Sequence, residues 1–369
     1  MRVAQVVGTN GKGTTAVALA AALEAAGAPA GAYLSPHVLS YTERVMLRGE
    51  PVTEELFAAA MGGVISLADA NDVPASQFEL LTAGALMIFA EKGLAWAVLE
   101  AGLGARYDAT SAAAPEAVVL TNVGLDHTEY LGRSVEEISR EKLASLSAGS
   151  VLILGTDDPR VVALARERCE EAGARLVEAA PKTDEPPLPA SLPPYAACDA
   201  RVGLRAAEVL LDRVLVEEAR AAWSAARALP GRFDVHEMRG VPVVVDGGHN
   251  PSGIKAALEA MGRSYGERPL GVVFGALRDK DIGSMLTELR KEAHVLVLTR
   301  PEDERAADPV HLMREHGPRD REGRRARVAT AVEDALEMAV EETQRVDGVV
   351  LVTGSLYTGA PVIRWLHEK

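Results

Sequence analysis

Short, largely apolar runs alternate with stretches where apolar positions recur at helical spacing, almost from one end of the chain to the other. The runs lie at 3–7, 30–34, 96–99, 117–121, 151–154 and 175–177, and the spacing between them predicts helices over 13–26, 53–70, 77–92, 134–147 and 158–172. Strands that are apolar at every position and separated by helices belong to parallel sheets covered on both faces. The pattern therefore predicts a doubly wound α/β plan.

That rhythm breaks twice. Between Ala180 and Pro194 six of the 20 prolines are gathered, a stretch that fits neither a helix nor a central strand and reads as an extended surface segment. Helices predicted over 199–213 and 215–227 still need a sheet to cover, so the domain boundary is placed after them, at Leu229-Pro230-Gly231. Beyond it, runs at 241–245, 270–274, 295–298 and 349–352 alternate with helices predicted over 251–262, 281–291, 330–344 and 355–367. The expected organisation is an N-terminal domain of residues 1–229, with its Pro-rich segment at 181–194, followed by a smaller α/β domain of residues 230–369. A length of 369 residues agrees with two domains, since single cores stop growing at roughly 250–300 residues.

Composition narrows the function classes. Hydrophobic residues at 48% and charged residues at 25% are ordinary globular values, and aromatic residues at 4% leave packing to Ala, Leu and Val. A formal net charge of −14 disfavours a nucleic-acid binder, and the basic stretch at 314–327 is interrupted by Glu315, Asp320 and Glu322. Two cysteines, Cys169 and Cys198, stand far from CxxC spacing, which disfavours structural zinc or a disulfide framework and fits a cytoplasmic location. The Ala/Leu run at 16–23 superficially resembles a signal peptide, yet Asn10, Lys12 and Glu24 interrupt it, and no segment reaches about 18 uncharged apolar residues.

The strongest chemical signal is Gly8-Thr9-Asn10-Gly11-Lys12-Gly13-Thr14-Thr15, directly after the first predicted strand and opening the first helix. Glycines let backbone N–H groups turn onto phosphate oxygens, the helix N-terminus adds positive potential, Lys12 neutralises phosphate charge, and the Thr14 hydroxyl can ligate Mg²⁺. The stretch departs from the general pattern G-x-x-x-x-G-K-[ST], because Gly13 separates Lys12 from Thr14. It also differs from a dinucleotide fingerprint, which carries no such lysine. Further on, Glu100 closes an apolar run, His127 follows another, and Lys142 lies on the next helix. Beside a phosphate loop these read as a metal site, since Mg²⁺ takes oxygen donors, retained waters and substrate phosphates. The bland alternatives are a strand-end carboxylate, a loop histidine and a surface lysine paired with Glu137 or Glu141.

The G-T-N-G-K-G-[ST] segment resembles folylpolyglutamate synthase/dihydrofolate synthase, the folate branch of the Mur ligase superfamily. Leu34-Ser35-Pro36-His37, Thr42-Glu43-Arg44 and Phe78-Glu79-Leu80-Leu81-Thr82 extend the resemblance. So do Glu100-Ala101-Gly102-Leu103-Gly104-Ala105-Arg106-Tyr107-Asp108-Ala109-Thr110 and Thr121-Asn122-Val123-Gly124-Leu125-Asp126-His127, followed by Arg140-Glu141-Lys142. After the break come Leu229-Pro230-Gly231-Arg232, Asp246-Gly247-Gly248-His249-Asn250-Pro251 and Thr353-Gly354-Ser355-Leu356-Tyr357, in family order. The resemblance implies a P-loop-containing, mainly parallel sheet domain followed by a Rossmann-like Mur ligase C-terminal domain. It implies a monomeric ligase that uses ATP and Mg²⁺ to join L-glutamate to folate or dihydropteroate through an acyl phosphate, with no nucleic-acid or membrane partner. Other readings are a Mur-superfamily ligase acting on a peptidoglycan precursor, or a nucleotide-binding protein without catalysis.

Roles follow residue by residue from the same resemblance. Gly8, Thr9, Asn10, Gly11, Lys12, Gly13 and Thr14, with Arg232, Asp246 and Asn250, would bind ATP. Thr14, Ser35 and Glu100 would hold one Mg²⁺; Glu100, His127 and a carbamylated Lys142 a second. Lys12, Lys142, His127 and Arg232 would serve catalysis, Phe78 and Asp108 the pterin, and His249 and Ser355 the incoming glutamate. Alternatives remain open at Phe78 as core, Arg232 as a tie to Asp234, and His249 as a helix-start residue. Three departures stand out. Ala105 replaces a usual glycine, no His-Gln segment precedes the helix near 200, and family members usually carry a longer segment before the loop, which puts the pterin side most in question.

Overall fold

The computed structural model describes residues 1–179 and 192–368, so the Pro-rich segment at 181–194 lies largely outside the described residues. The chain divides into two compact units, Met1–Ala228 and Leu229–Lys369.

The first unit runs β1 (Arg2–Val7), α1 (Lys12–Ala25), β2 (Ala30–Tyr33), β3 (Val45–Leu47), β4 (Glu50–Pro51), α2 (Glu54–Ala70), α3 (Gln77–Glu91), β5 (Trp96–Glu100) and β6 (Ala117–Leu120). It continues with α4 (Thr128–Leu131), α5 (Val135–Lys142), β7 (Val151–Leu154), α6 (Pro159–Ala172), β8 (Arg175–Glu178), α7 (Pro194–Leu211) and α8 (Ala219–Arg227). Its sheet has the order β4-β3-β2-β5-β1-β6-β7-β8, parallel from β2 to β8, with β3 and β4 added antiparallel. β1 sits between β5 and β6, the point where the chain's winding reverses, and α/β sheets place ligands outside the carboxyl ends of strands at such a point. Register pairs Val6 with Glu100 and Val7 with Leu120, which brings Gly8, Ala101 and Thr121 to the same edge. Two apolar clusters lie side by side on one face of the sheet, one with Val118, Leu120, Leu143 and Leu152, the other with Tyr33, Ile88, Phe89 and Leu99.

The second unit runs β9 (Arg232–Met238), β10 (Val241–Asp246), α9 (Pro251–Tyr265), β11 (Leu270–Phe274), α10 (Ile282–Glu292) and β12 (Ala293–Leu298). Then come α11 (Pro309–His316), β13 (Arg327–Val328), α12 (Val332–Gln344), β14 (Val349–Thr353) and α13 (Leu356–His367). Its sheet order is β13-β12-β11-β14-β10-β9, parallel except for β9 against β10.

Four local expectations change. The helix predicted over 134–147 ends at Lys142, because Leu143 and Leu146 turn into the core and Ser150 Oγ closes a turn by donating to Ser147 O at 2.7 Å. Pro194 opens α7 instead of ending an extended segment, which suits a residue whose missing N–H is no loss in a first helical turn. β9 and the β3–β4 extension were absent from the predicted strands, since charged residues interrupt β9 and the other two are only three and two residues long. Helix α11 was also absent, because it is only eight residues long and half of them are polar.

Candidate active site

The loop at 8–11 is held in shape by the segment after β6. Thr9 N–H donates to Asn122 O at 2.9 Å, and Thr121 Oγ1 donates to Asn10 O at 2.7 Å. The Asn122 amide clasps Asn10, accepting from its N–H and donating to its C=O, each at 3.0 Å. Thr9 Oγ1 accepts from Gly124 N–H at 2.9 Å. Two glycines are obligatory here. Gly8 has φ 153° and a Cβ on it would lie 1.9 Å from Thr121 Oγ1; Gly11 has φ 79° and a Cβ would lie 2.2 Å from Asp199 Oδ1.

Helix α1 then begins at Lys12, whose Nζ donates to Thr9 O at 3.1 Å. Thr14 and Thr15 are buried, and Thr15 Oγ1 donates to Asp199 O on α7 at 3.0 Å. Helix α7 comes this close because Gly203 sits against the Thr15 carbonyl, 2.6 Å from where a Cβ would be.

Glu100 is buried at the carboxyl end of β5, and its Oε2 accepts from Ser35 N–H at 2.9 Å. A Cβ at Gly13 would stand 3.2 Å from that same oxygen, so Gly13 is what lets the carboxylate rest against the first turn of α1. Behind Ser35, the Glu43 carboxylate accepts from the N–H groups of Val38, Leu39 and Ser40, and Arg44 Nε donates to His37 Nδ1 at 3.0 Å. The S-P-H and E-R segments are therefore one folded unit.

Lys142 is 5% exposed, which removes the surface-lysine reading, and its Nζ donates to Gly8 O at 2.7 Å. Burial, with the Lys12 ammonium close by, lowers its pKa from the usual lysine range to about 7, against the opposing pull of Asp126 and Asp108. His127 adopts φ 49° at the start of α4; its N–H donates to Asp126 Oδ1 at 2.9 Å and its Nε2 lies 3.9 Å from that oxygen.

On the loop after β5, Asp108 is turned inward: Oδ2 accepts from the N–H groups of Gly102 and Leu103 at 2.8 and 2.9 Å, and Oδ1 from Thr110. Phe78 packs its ring on Gly102, 2.8 Å from where a Cβ would be, and tilts against Tyr33 at 5.9 Å between centroids. Both residues shape this loop.

In the second unit, Arg232 pairs opposite Asp246 at a register shift, and its Nη1 lies 2.6 Å from a Cβ placed on Gly247. The buried Asp246 accepts from Phe233 N–H at 3.1 Å and Gly248 N–H at 2.9 Å, fixing the turn. Asn250 caps α9 by accepting from Gly253 N–H at 2.8 Å, so the helix-start residue is Asn250, and His249 Nδ1 instead lies 3.0 Å from Gly247 O. Gly354 N–H donates to Gly248 O at 2.9 Å, which joins the ends of β10 and β14 and brings the 247–250 turn beside Ser355, the cap of α13.

The structure thus gathers Gly8, Lys12, Gly13, Thr14, Ser35, Glu100 and Lys142 in one unit, and Arg232, Asp246, His249, Asn250 and Ser355 in the other. Sequence reasoning gave no role to Asn122, Asp126 or Asp199. Asn122 and Asp126 lay inside a quoted motif, and the sign of Asp199 was one acid within an Ala-rich helix.

Family models match the chain as the Mur ligase middle domain over residues 6–184 and as the Mur ligase, glutamate ligase domain over residues 231–356. The dihydrofolate synthase/folylpolyglutamate synthase of Escherichia coli is 31% identical, over 99% of this chain and 86% of that protein. The chain belongs to this family. Its Bacillus subtilis relative is 28% identical over 97% of this chain and 88% of that one. Among solved family members, E. coli FolC in complex with DHPP and ADP superposes with a TM-score of 0.85 at 30% identity, covering 100% of this chain and 89% of that chain. The Yersinia pestis bifunctional enzyme complexed with AMPPNP and Mn ion gives 0.84 at 31%, covering 99% and 89%. No helix among the described residues is long and apolar enough to cross a membrane.

Proposed function

We propose that this chain joins L-glutamate to the carboxylate of a pteridine acid, spending ATP through an acyl phosphate. As a family member it is an ATP-dependent glutamate ligase of the folylpolyglutamate synthase/dihydrofolate synthase type. The observation that supports the residue roles best is the convergence of Lys12, Glu100 and the buried Lys142 on the phosphate loop.

A carboxylate is a poor acyl donor. Its oxygen attacks the γ-phosphorus of ATP and ADP leaves; the L-glutamate amine then attacks the acyl carbon, phosphate departs, and the amine loses a proton. The N–H groups of the 8–14 loop and α1 bind the phosphates, and Lys12 offsets their charge. Thr14, Ser35 and Glu100 offer oxygen donors for a divalent cation. No group of three or more His, Cys, Asp or Glu among the described residues could hold a metal ion by itself. That fits Mg²⁺, which keeps waters and shares substrate phosphates. When bound, it neutralises charge on the phosphate oxygens. A second cation fits Glu100 and His127 only if Lys142 is not an ammonium. With a pKa near 7, much of Lys142 is the neutral amine that adds CO₂ and releases a proton, giving an anionic oxygen donor. Arg232, Asp246 and Asn250 serve the nucleotide, His249 and Ser355 the glutamate, and Phe78 and Asp108 the pterin side.

Dihydropteroate and tetrahydrofolate are the acids to test. With the substrate carboxylate labelled by ¹⁸O, the acyl-phosphate route delivers one label to the released phosphate. Unlabelled phosphate alongside product formation rules the route out.

A further inference from the structure

One fully buried polar side chain takes no part in the phosphate site. Gln5 lies in the middle of β1, 0% exposed, between the apolar pairs Val3-Ala4 and Val6-Val7. Burying an amide there is costly unless it is hydrogen-bonded. Its Nε2 donates to Thr110 Oγ1 at 2.7 Å and to Ser111 Oγ at 2.8 Å. The direction of each bond is fixed, because the Thr110 hydroxyl donates onward to Asp108 Oδ1 at 2.5 Å and the Ser111 hydroxyl to Ala105 O at 2.6 Å. A hydroxyl has one proton, so both must accept from Gln5. That sets the amide with its donors toward the loop, while Oε1 has no protein partner among the described residues.

Everything the relay reaches lies on the segment after Glu100. Asp108 passes it to Gly102 and Leu103, Gly102 carries the Phe78 ring, and the same loop exposes Leu103 and Tyr107. By contrast, the bonds that shape the 8–11 loop come from residues 121–124 and do not involve Gln5. We infer that Gln5 is a positioning residue for the acid substrate: through Thr110 and Ser111 it fixes the 102–111 loop, whose exposed apolar side chains meet the substrate's ring system, independently of ATP binding. This rests on the ligase reading above.

The test is steady-state ADP release by the full chain with ATP, L-glutamate and dihydropteroate or tetrahydrofolate, whichever the wild type accepts. Gln5→Leu keeps the volume and removes the donors; KM for the pteridine acid should rise about tenfold while KM for ATP stays within about twofold. Thr110→Val should match it, the double variant should be no worse than either single one, and Thr110→Ser, which keeps the hydroxyl, should restore wild-type KM. If Gln5→Leu does not fold, the Thr110→Val and Thr110→Ser pair carries the same test. Equal rises in both KM values, unchanged kinetics, or additive effects in the double variant overturn the inference. A wild-type protein inactive on both acids defeats the ligase reading itself, and the inference with it.

Discussion

Gly13 is where the phosphate loop departs from the general pattern, and its neighbour gives the reason. An alanine Cβ would lie 3.2 Å from Glu100 Oε2 and 3.7 Å from Oε1, the first tighter than nine in ten real Cβ contacts. The carboxylate would have to yield by a few tenths of an ångström, yet Oε2 is already fixed by Ser35 N–H at 2.9 Å. A hydrogen bond to a charged group is worth about 1.5–3 kcal/mol, so partly losing it costs on the order of 1.4 kcal/mol. That corresponds to about a tenfold fall in kcat/KM. The same lost hydrogen bond also destabilises the free protein, and a helical alanine offsets part of that. Gly13 lies within α1 and outside the left-handed region, where alanine is favoured over glycine by up to about 1 kcal/mol. Gly13→Ala should therefore leave the thermal midpoint little changed or slightly lowered while turnover falls about tenfold and the Mg²⁺ concentration for half-maximal rate increases. Thermal melts and a coupled ADP assay measure both. Wild-type turnover with an unchanged Mg²⁺ requirement would refute the placement of Glu100 against this helix.

Three further outcomes are expected. Gly8→Ala should abolish nucleotide binding, measured with a fluorescent ATP analogue, because its Cβ would fall 1.9 Å from Thr121 Oγ1 at φ 153°; retained affinity contradicts this. For Lys142, an unfolded lysine keeps its proton to about pH 10.4, the folded one only to about 7. Between those values the unfolded chain binds more protons, so stability rises with pH, and the burial penalty is full below pH 7. Lys142→Met should then melt above wild type at pH 7 in bicarbonate- and metal-free buffer, with the gap closing toward pH 10, while activity is lost; a variant less stable at pH 7 contradicts the burial argument. Asp246→Ala leaves the N–H groups of Phe233 and Gly248 without their acceptor and should cost about 2–4 kcal/mol, seen as a lower denaturation midpoint. An unchanged midpoint would show that the turn does not depend on this carboxylate.

The central parallel strands were legible because each is a short run of residues buried on both faces, and the phosphate loop because its glycines sit between a strand and a helix. The edge strand β9 was not, since R-F-D-V-H-E-M mixes charge with apolar residues and its pairing is set by β10. At the site, residue type pointed to Lys142 but could not say that it is buried: Glu137 and Glu141 on its own helix offered surface partners, and only the fold of α5 beneath Gly8 removes them. Asp108 was legible as important, while the fact that its oxygens bind its own loop depends on a turn that sequence does not display. Gln5 stood in plain view as an amide in an apolar strand, with no local signal for the loop it holds.

The most telling measurement is the product balance of the purified chain supplied with ATP, Mg²⁺, L-[¹⁴C]glutamate and either dihydropteroate or tetrahydrofolate. A folate:glutamate ligase gives one ADP, one phosphate and one labelled amide product per turnover with at least one of these acids. No labelled product from either, or ADP release that instead follows a UDP-muramoyl substrate, would contradict it.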